Sequence, residues 1–138
     1  MENLKDRDNL LLKNIVVFPL IFSIFLPIVI LDFWIELYHR TCFPICKISV
    51  VKRKDYIKFD RFKLSYLNQR QKVYCAYCSY VNGVFNYWVE IAGKTESYWC
   101  GIRHEEKEGF KEPKYHKNFA KYNDEKNFKE KYCKLANK

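Results

Sequence analysis

Four residues in the second half of the chain have the types and spacing to hold a metal ion. Cys75-Ala76-Tyr77-Cys78 sets two thiols within reach of one ion, and 21 intervening residues later Cys100 is followed, after three more, by His104. Three thiolates and one imidazole complete a tetrahedral zinc site, and Cys/His pairs at short spacing are the usual way of closing one. The expected cofactor is therefore one structural zinc ion on Cys75, Cys78, Cys100 and His104, adding folding energy to a domain too small to rely on its core. The same residues fit three other chemistries: buried thiols beside a surface histidine, a redox pair at Cys75 and Cys78 just before a helix N-terminus, and an iron–sulfur site, which normally wants four thiolates.

Glu96 lies one turn before Cys100. As a base on a zinc-bound water it would serve a hydrolase, but four protein ligands leave no open position, so it is expected to hydrogen-bond His104 or a nearby cation. No nucleophile–base pair and no paired carboxylates stand out, and four glycines in the whole chain provide no phosphate-binding loop, so no catalytic residue is assigned. Cys42, Cys46 and Cys133 receive no role. A cytoplasmic domain keeps its cysteines reduced, which disfavours disulfides.

The element expected to bring the two halves of the thiol–imidazole set together is an intervening helix over residues 81–99. Val81, Val84, Phe85, Trp88, Ile91, Ala92, Thr95, Tyr98 and Trp99 form its apolar stripe, with Asn82, Asn86, Glu90, Lys94 and Ser97 opposite. Residues 39–72 read as a juxtamembrane connector in which 55–67, alternating aromatic and polar, could form a strand or a surface-hugging ribbon. Residues 105–117 are charge-rich and interrupted by Gly109 and Pro113, as in an exposed linker. A last helix is expected after Asn123 as its cap, with Phe128, Tyr132 and Leu135 as a thin apolar edge.

The first third of the chain is of another kind. Residues 15–31 carry no charge, and apolar character continues past Asp32 to Ile35, giving 21 residues and a helix of about 31 Å that matches the hydrocarbon core. A cleaved signal peptide would want a basic start and small residues at its end, which are missing. Pro19 and Pro27 favour a kink and leave a re-entrant hairpin open. Trp34, Tyr38 and Arg40 follow the run and are expected at the membrane interface. Beyond residue 38 the chain has 22 Lys plus Arg against 11 Asp plus Glu, leaving +11, and the basic flank predicts a single-pass protein with this domain in the cytoplasm. The expected partners are the bilayer, through its anionic cytoplasmic leaflet, and a protein; nucleic acid is disfavoured because the aromatics fall on the helix stripe and the connector.

Asp60-Arg61, Tyr66-Leu67-Asn68, Cys75 and Cys78 with Tyr77, Asn82-Gly83, Glu90-Ile91-Ala92, Thr95-Glu96, Tyr98-Trp99-Cys100 with His104, and Cys42-Phe43-Pro44 together resemble a family of short bacterial membrane proteins of unassigned activity. Those proteins pair one N-terminal hydrophobic segment with a Cys-x-Tyr-Cys … Tyr-Trp-Cys-x-x-x-His motif. The resemblance spans residues 26–104 and implies location in the bacterial inner membrane but no activity; the tail after Glu105 and Cys46 depart from it.

The sequence thus predicts a mainly α protein with little or no β structure: an N-terminal tail (1–13), a transmembrane helix (14–38), a connector (39–72), a Cys3His zinc module (73–105) and a charged tail with a helix (106–138). Its expected function is that of a membrane-anchored zinc-binding interaction platform, with a membrane-tethered thiol oxidoreductase using Cys75 and Cys78 as the alternative.

Overall fold

The computed structural model describes the backbone of residues 7–133 and the side chains of 15–132. It is mainly α-helical. Helix α1 covers Arg7–Ser23, α2 Phe25–Ile45, α3 Gln69–Trp99 and the short α4 Glu125–Phe128. No strand occurs among the described residues, where the β pairing is one isolated parallel bridge between Ile102 and Ala120.

α1 and α2 make up the apolar run. The break falls at Ile24 because Pro27 has no N–H to give Ser23, and the helix restarts so that Pro27 sits in a first turn, where that donor is not needed. Ile15–Ile45 is long and apolar enough to cross a bilayer, with mean hydropathy 2.6 over its most apolar window and 11% of that window buried. It has the length and composition of a membrane anchor or of a signal sequence. The helix is longer at both ends than the expected 14–38, and it begins inside the stretch read as a tail.

α3 is also longer than expected. Its start is fixed by a capping box: Asn68 Oδ1 accepts from the Gln71 N–H and Gln71 Oε1 accepts from the Asn68 N–H, both at 2.9 Å. Residues 69–80, read as connector and motif, are thus helix. The face it buries also differs, running through Gly83, Val84, Tyr87 and Ile91, while Phe85, Tyr98 and Trp99 of the expected stripe are exposed. Tyr87 displaces Phe85 because its hydroxyl finds polar partners on α2.

α2 and α3 run in the same direction. Phe18 of α1 meets Tyr74, and on α2 Phe25 meets Tyr80 and Tyr38 hydrogen-bonds Thr95, in that order along the α1–α2 run and along α3. The chain between Ile45 and Gln69 therefore returns alongside them. It does so through two 3-10 turns, Arg53–Asp55 and Asp60–Lys63, so that of the strand or surface-hugging ribbon open for 55–67 no strand forms. Where it crosses α3, Gly83 is needed: a Cβ there would lie 2.8 Å from the Tyr56 carbonyl oxygen. Phe43, Val51, Tyr87 and Ile91 form the core at this three-way junction.

The polar groups of α2 are absorbed in the same place. Arg53 binds both oxygens of Asp32, at 2.8 and 2.6 Å, and Tyr80 and Trp88 donate to the same carboxylate. The pair with Asp32 raises the Arg53 pKa against the opposing effect of burial. The Val51 N–H donates to His39 Nε2 at 3.0 Å, so His39 carries its proton on Nδ1 and donates it to Tyr87, whose hydroxyl donates to Glu36 at 2.7 Å. Burial first, and then Glu36, raises the Tyr87 pKa. Every buried polar group on the apolar helix thus has a partner from α3 or the returning segment, as low-dielectric surroundings require.

Candidate metal centre

α3 ends where Glu96 is placed. Its carbonyl accepts from both Cys100 and Gly101 N–H groups at 2.8 Å, and Gly101, at φ +59°, turns the chain out of the helix in the left-handed region. The chain then pairs with the segment ahead of α4: Ala120 N–H donates to Gly101 O and Arg103 N–H to Ala120 O, at 2.8 and 2.9 Å. Arg103 clamps the same pairing by donating from Nε to the His116 carbonyl and from Nη2 to that of Lys117, both at 3.0 Å. This brings the turn Lys114–Asn118 onto the last turns of α3, where Gly93 leaves room for the Tyr115 ring. Burial first, and then Glu96, raises the Tyr115 pKa.

The outcome is a cluster of Glu96, His104 and His116 whose ligand atoms lie within 4.8 Å of one another, a grouping that could hold a metal ion. His116 is 1% exposed and stacks on Phe119, with ring centroids 4.7 Å apart. Its Nε2 is 3.2 Å from Glu96 Oε1. Its Nδ1 is buried without a hydrogen-bond partner, with Glu112 Oε1 3.6 Å away. Ligand atoms around a tetrahedral zinc are roughly 3.3 Å apart, given bonds of about 2.0 Å. The exposed ring of His104 has the freedom to close the difference.

The cysteines do not join this cluster. Cys75 and Cys78 lie in the first third of α3 and Cys100 at its C-cap. The residues expected to fold the two halves together are themselves one continuous helix, which puts Cys78 and Cys100 about 33 Å apart at 1.5 Å per residue. The structure does not bring Cys75, Cys78, Cys100 and His104 to one ion. Nor do Cys75 and Cys78 precede a helix N-terminus: they fall in the second and third turns of α3, beyond the first turn where the helix dipole favours a thiolate.

Of the residues singled out in the sequence, His104 and Glu96 are brought together, with Glu96 facing His116 directly instead of supporting a ligand from outside. His116 completes the group although it lies past Gly109, in the segment read as an exposed linker; its signal was a histidine between aromatic Tyr115 and Phe119 in an otherwise charged run. Of the three residues expected at the membrane interface, Trp34 is exposed, Tyr38 turns inward to Thr95 at 2.9 Å and Arg40 pairs with Glu36 at 2.8 Å. At the other end of the chain, Asp124 rather than Asn123 caps the last helix, accepting from the Asn127 N–H at 2.9 Å. Leu135 and the side chain of Cys133 lie outside the described residues.

Comparison of the chain with protein-family models, with curated proteins and with solved structures finds no match.

Proposed function

We propose that this is a membrane-anchored zinc protein in which Glu96, His104 and His116 hold one structural ion, and the rigid basic domain so formed serves as an interaction platform on the cytoplasmic face of a bacterial inner membrane. The observation that carries the reading is His116: an imidazole withdrawn from water with Nε2 3.2 Å from the Glu96 carboxylate and a second histidine alongside. Two imidazoles and a carboxylate suit zinc among the common divalent ions. With Nε2 on the ion, Nδ1–H would point to Glu112, the carboxylate–histidine–metal arrangement that fixes ring orientation.

A structural role fits what the ligands join. Glu96 belongs to α3 and His104 and His116 to the loops packed on its end, so the ion ties segment 100–120 to the helix. Three protein ligands leave the fourth position to a water, and with Glu96 itself used as a ligand none of the three is free to act as a base on it. Contact with anionic headgroups is supported by Arg40, Lys52, Arg53 and Lys54, which line an open cleft of about 520 Å³ beside the apolar helix.

Elemental analysis of the purified full chain tests the reading. One zinc per chain is expected, lost in His116→Ala and Glu96→Gln, with chelation exposing residues 100–120 to protease. A metal-free protein whose proteolysis ignores chelator and added zinc would overturn it.

A further inference from the structure

The returning segment 46–68 carries nine charged side chains and lies beside the apolar helix along much of its length. At the level of Phe22 and Phe25, Phe59 closes an apolar cavity of about 330 Å³ with Val73, Ala76, Tyr77 and Tyr80. Lys58, Asp60 and Arg61, all exposed, stand next to it around a cleft bordered by Cys78, Asn82 and Asn86. Further along, Tyr74 packs on Phe18 at 4.8 Å, so Arg70 and Lys72 at the start of α3 reach beyond Phe18. A helix crossing the bilayer upright in this fold would carry these charges to hydrocarbon depth, where exposed ions are strongly disfavoured.

The exposed apolar side chains of α2 offer another arrangement. Leu26, Val29, Ile30, Phe33, Trp34 and Leu37, spaced three and one in turn, form a stripe, with Phe25, Leu31 and Ile45 also exposed outside it. The buried residues Ile28, Asp32, His39 and Phe43 lie on the opposite side of the helix. The stripe passes Asp32 without interruption, although the other side of the helix there is occupied by the Arg53 ion pair.

We infer that α1 and α2 lie lengthwise in one leaflet, with the stripe toward the acyl chains and with α3 and segment 46–68 toward water. The inference rests on the membrane-anchored reading and changes its geometry from spanning to monotopic. Arg40, Lys52 and Lys54 border the C-terminal end of the stripe at headgroup level. A second copy is a poorer occupant: pairing two stripes brings two chains of net charge +9 and their basic rims together, whereas an anionic surface neutralises them.

Two measurements on the full chain in sealed vesicles of phosphatidylethanolamine with one-quarter phosphatidylglycerol test this. Epitope tags before Met1 and after Lys138 are expected to be cleaved together by external protease. Nitroxides placed singly at Val16, Leu20, Leu26, Phe33 and Leu37, in a background with the native cysteines replaced by serine and helicity retained, are expected to report one shallow depth throughout. Tags on opposite sides, or a depth profile that peaks at the middle positions and falls at both ends, would overturn the lengthwise arrangement while leaving the anchor intact. A chain that remains free of the vesicles would remove the membrane reading itself, and a soluble dimer with the nitroxides shielded would assign the stripe to a second copy.

Discussion

Replacing Arg53 by methionine isolates the contact that ties the apolar helix to the rest of the fold. The guanidinium makes two short bonds to Asp32, whose side chain is 9% exposed, and sits 3.9 Å from Glu36. Without it the carboxylate keeps the Tyr80 hydroxyl at 2.8 Å and the Trp88 indole N–H at 3.3 Å, but no positive charge. Removing one member of a fully buried pair costs about 3–5 kcal/mol. Arg53 retains 31% of its side-chain exposure and two donors remain, so the lower end applies, about 3 kcal/mol. That is a large share of a typical domain's stability of about 5–15 kcal/mol. In urea unfolding of the full chain in mild detergent, followed by tryptophan emission, the midpoint should fall by about 1–3 M, given a slope of about 1–3 kcal/mol per M. Adding Asp32→Leu removes the orphaned charge and should recover stability to within about 1 kcal/mol of the parent. High salt should leave the deficit largely in place, because buried pairs are weakly screened. An Arg53→Met variant within about 0.5 kcal/mol of the parent, or a double variant less stable than the single one, would refute the account.

Gly93→Ala places a Cβ 2.9 Å from the Tyr115 ring, so a loss of about 1–3 kcal/mol and weaker zinc retention are expected, both read by thermal unfolding with and without metal; unchanged behaviour would mean that Tyr115 does not seat the His116 turn. Tyr87→Phe breaks the path from His39 to Glu36 and leaves the buried His39 N–H without an acceptor, for a cost of about 1–3 kcal/mol in denaturant unfolding; a neutral result would argue against the assigned tautomer. Cys75→Ser and Cys100→Ser should both keep the metal content of the parent, and loss of zinc in either would return the thiols to the site. Truncation after Gly109 removes His116 and should abolish zinc binding in elemental analysis, and a truncated chain with the metal content of the parent would exclude His116 as a ligand.

The apolar run and the helical class are properties of composition and local spacing, and the sequence determined them; it also places Glu96 and His104, two of the three groups that could hold a metal ion, near the end of α3. Seventeen uncharged residues from 15 to 31 must avoid water whatever they pack against, and the Asn68–Gln71 capping box is written in two residues three apart. Which residues share a site was decided only by the tertiary structure. Cys78 lies in one uninterrupted helix and Cys100 at its C-cap, and local spacing cannot distinguish a chain that turns back from one that runs straight on. His116 reaches Glu96 because Gly101 turns the chain and Arg103 pins residues 116 and 117, contacts between segments more than ten residues apart. The polar residues of α2 behave likewise. Asp32, Glu36 and His39 look like interruptions of a membrane helix in one dimension, yet α3 and the charged segment 46–68 satisfy all three, because buried polar groups are stable only where the fold supplies their partners.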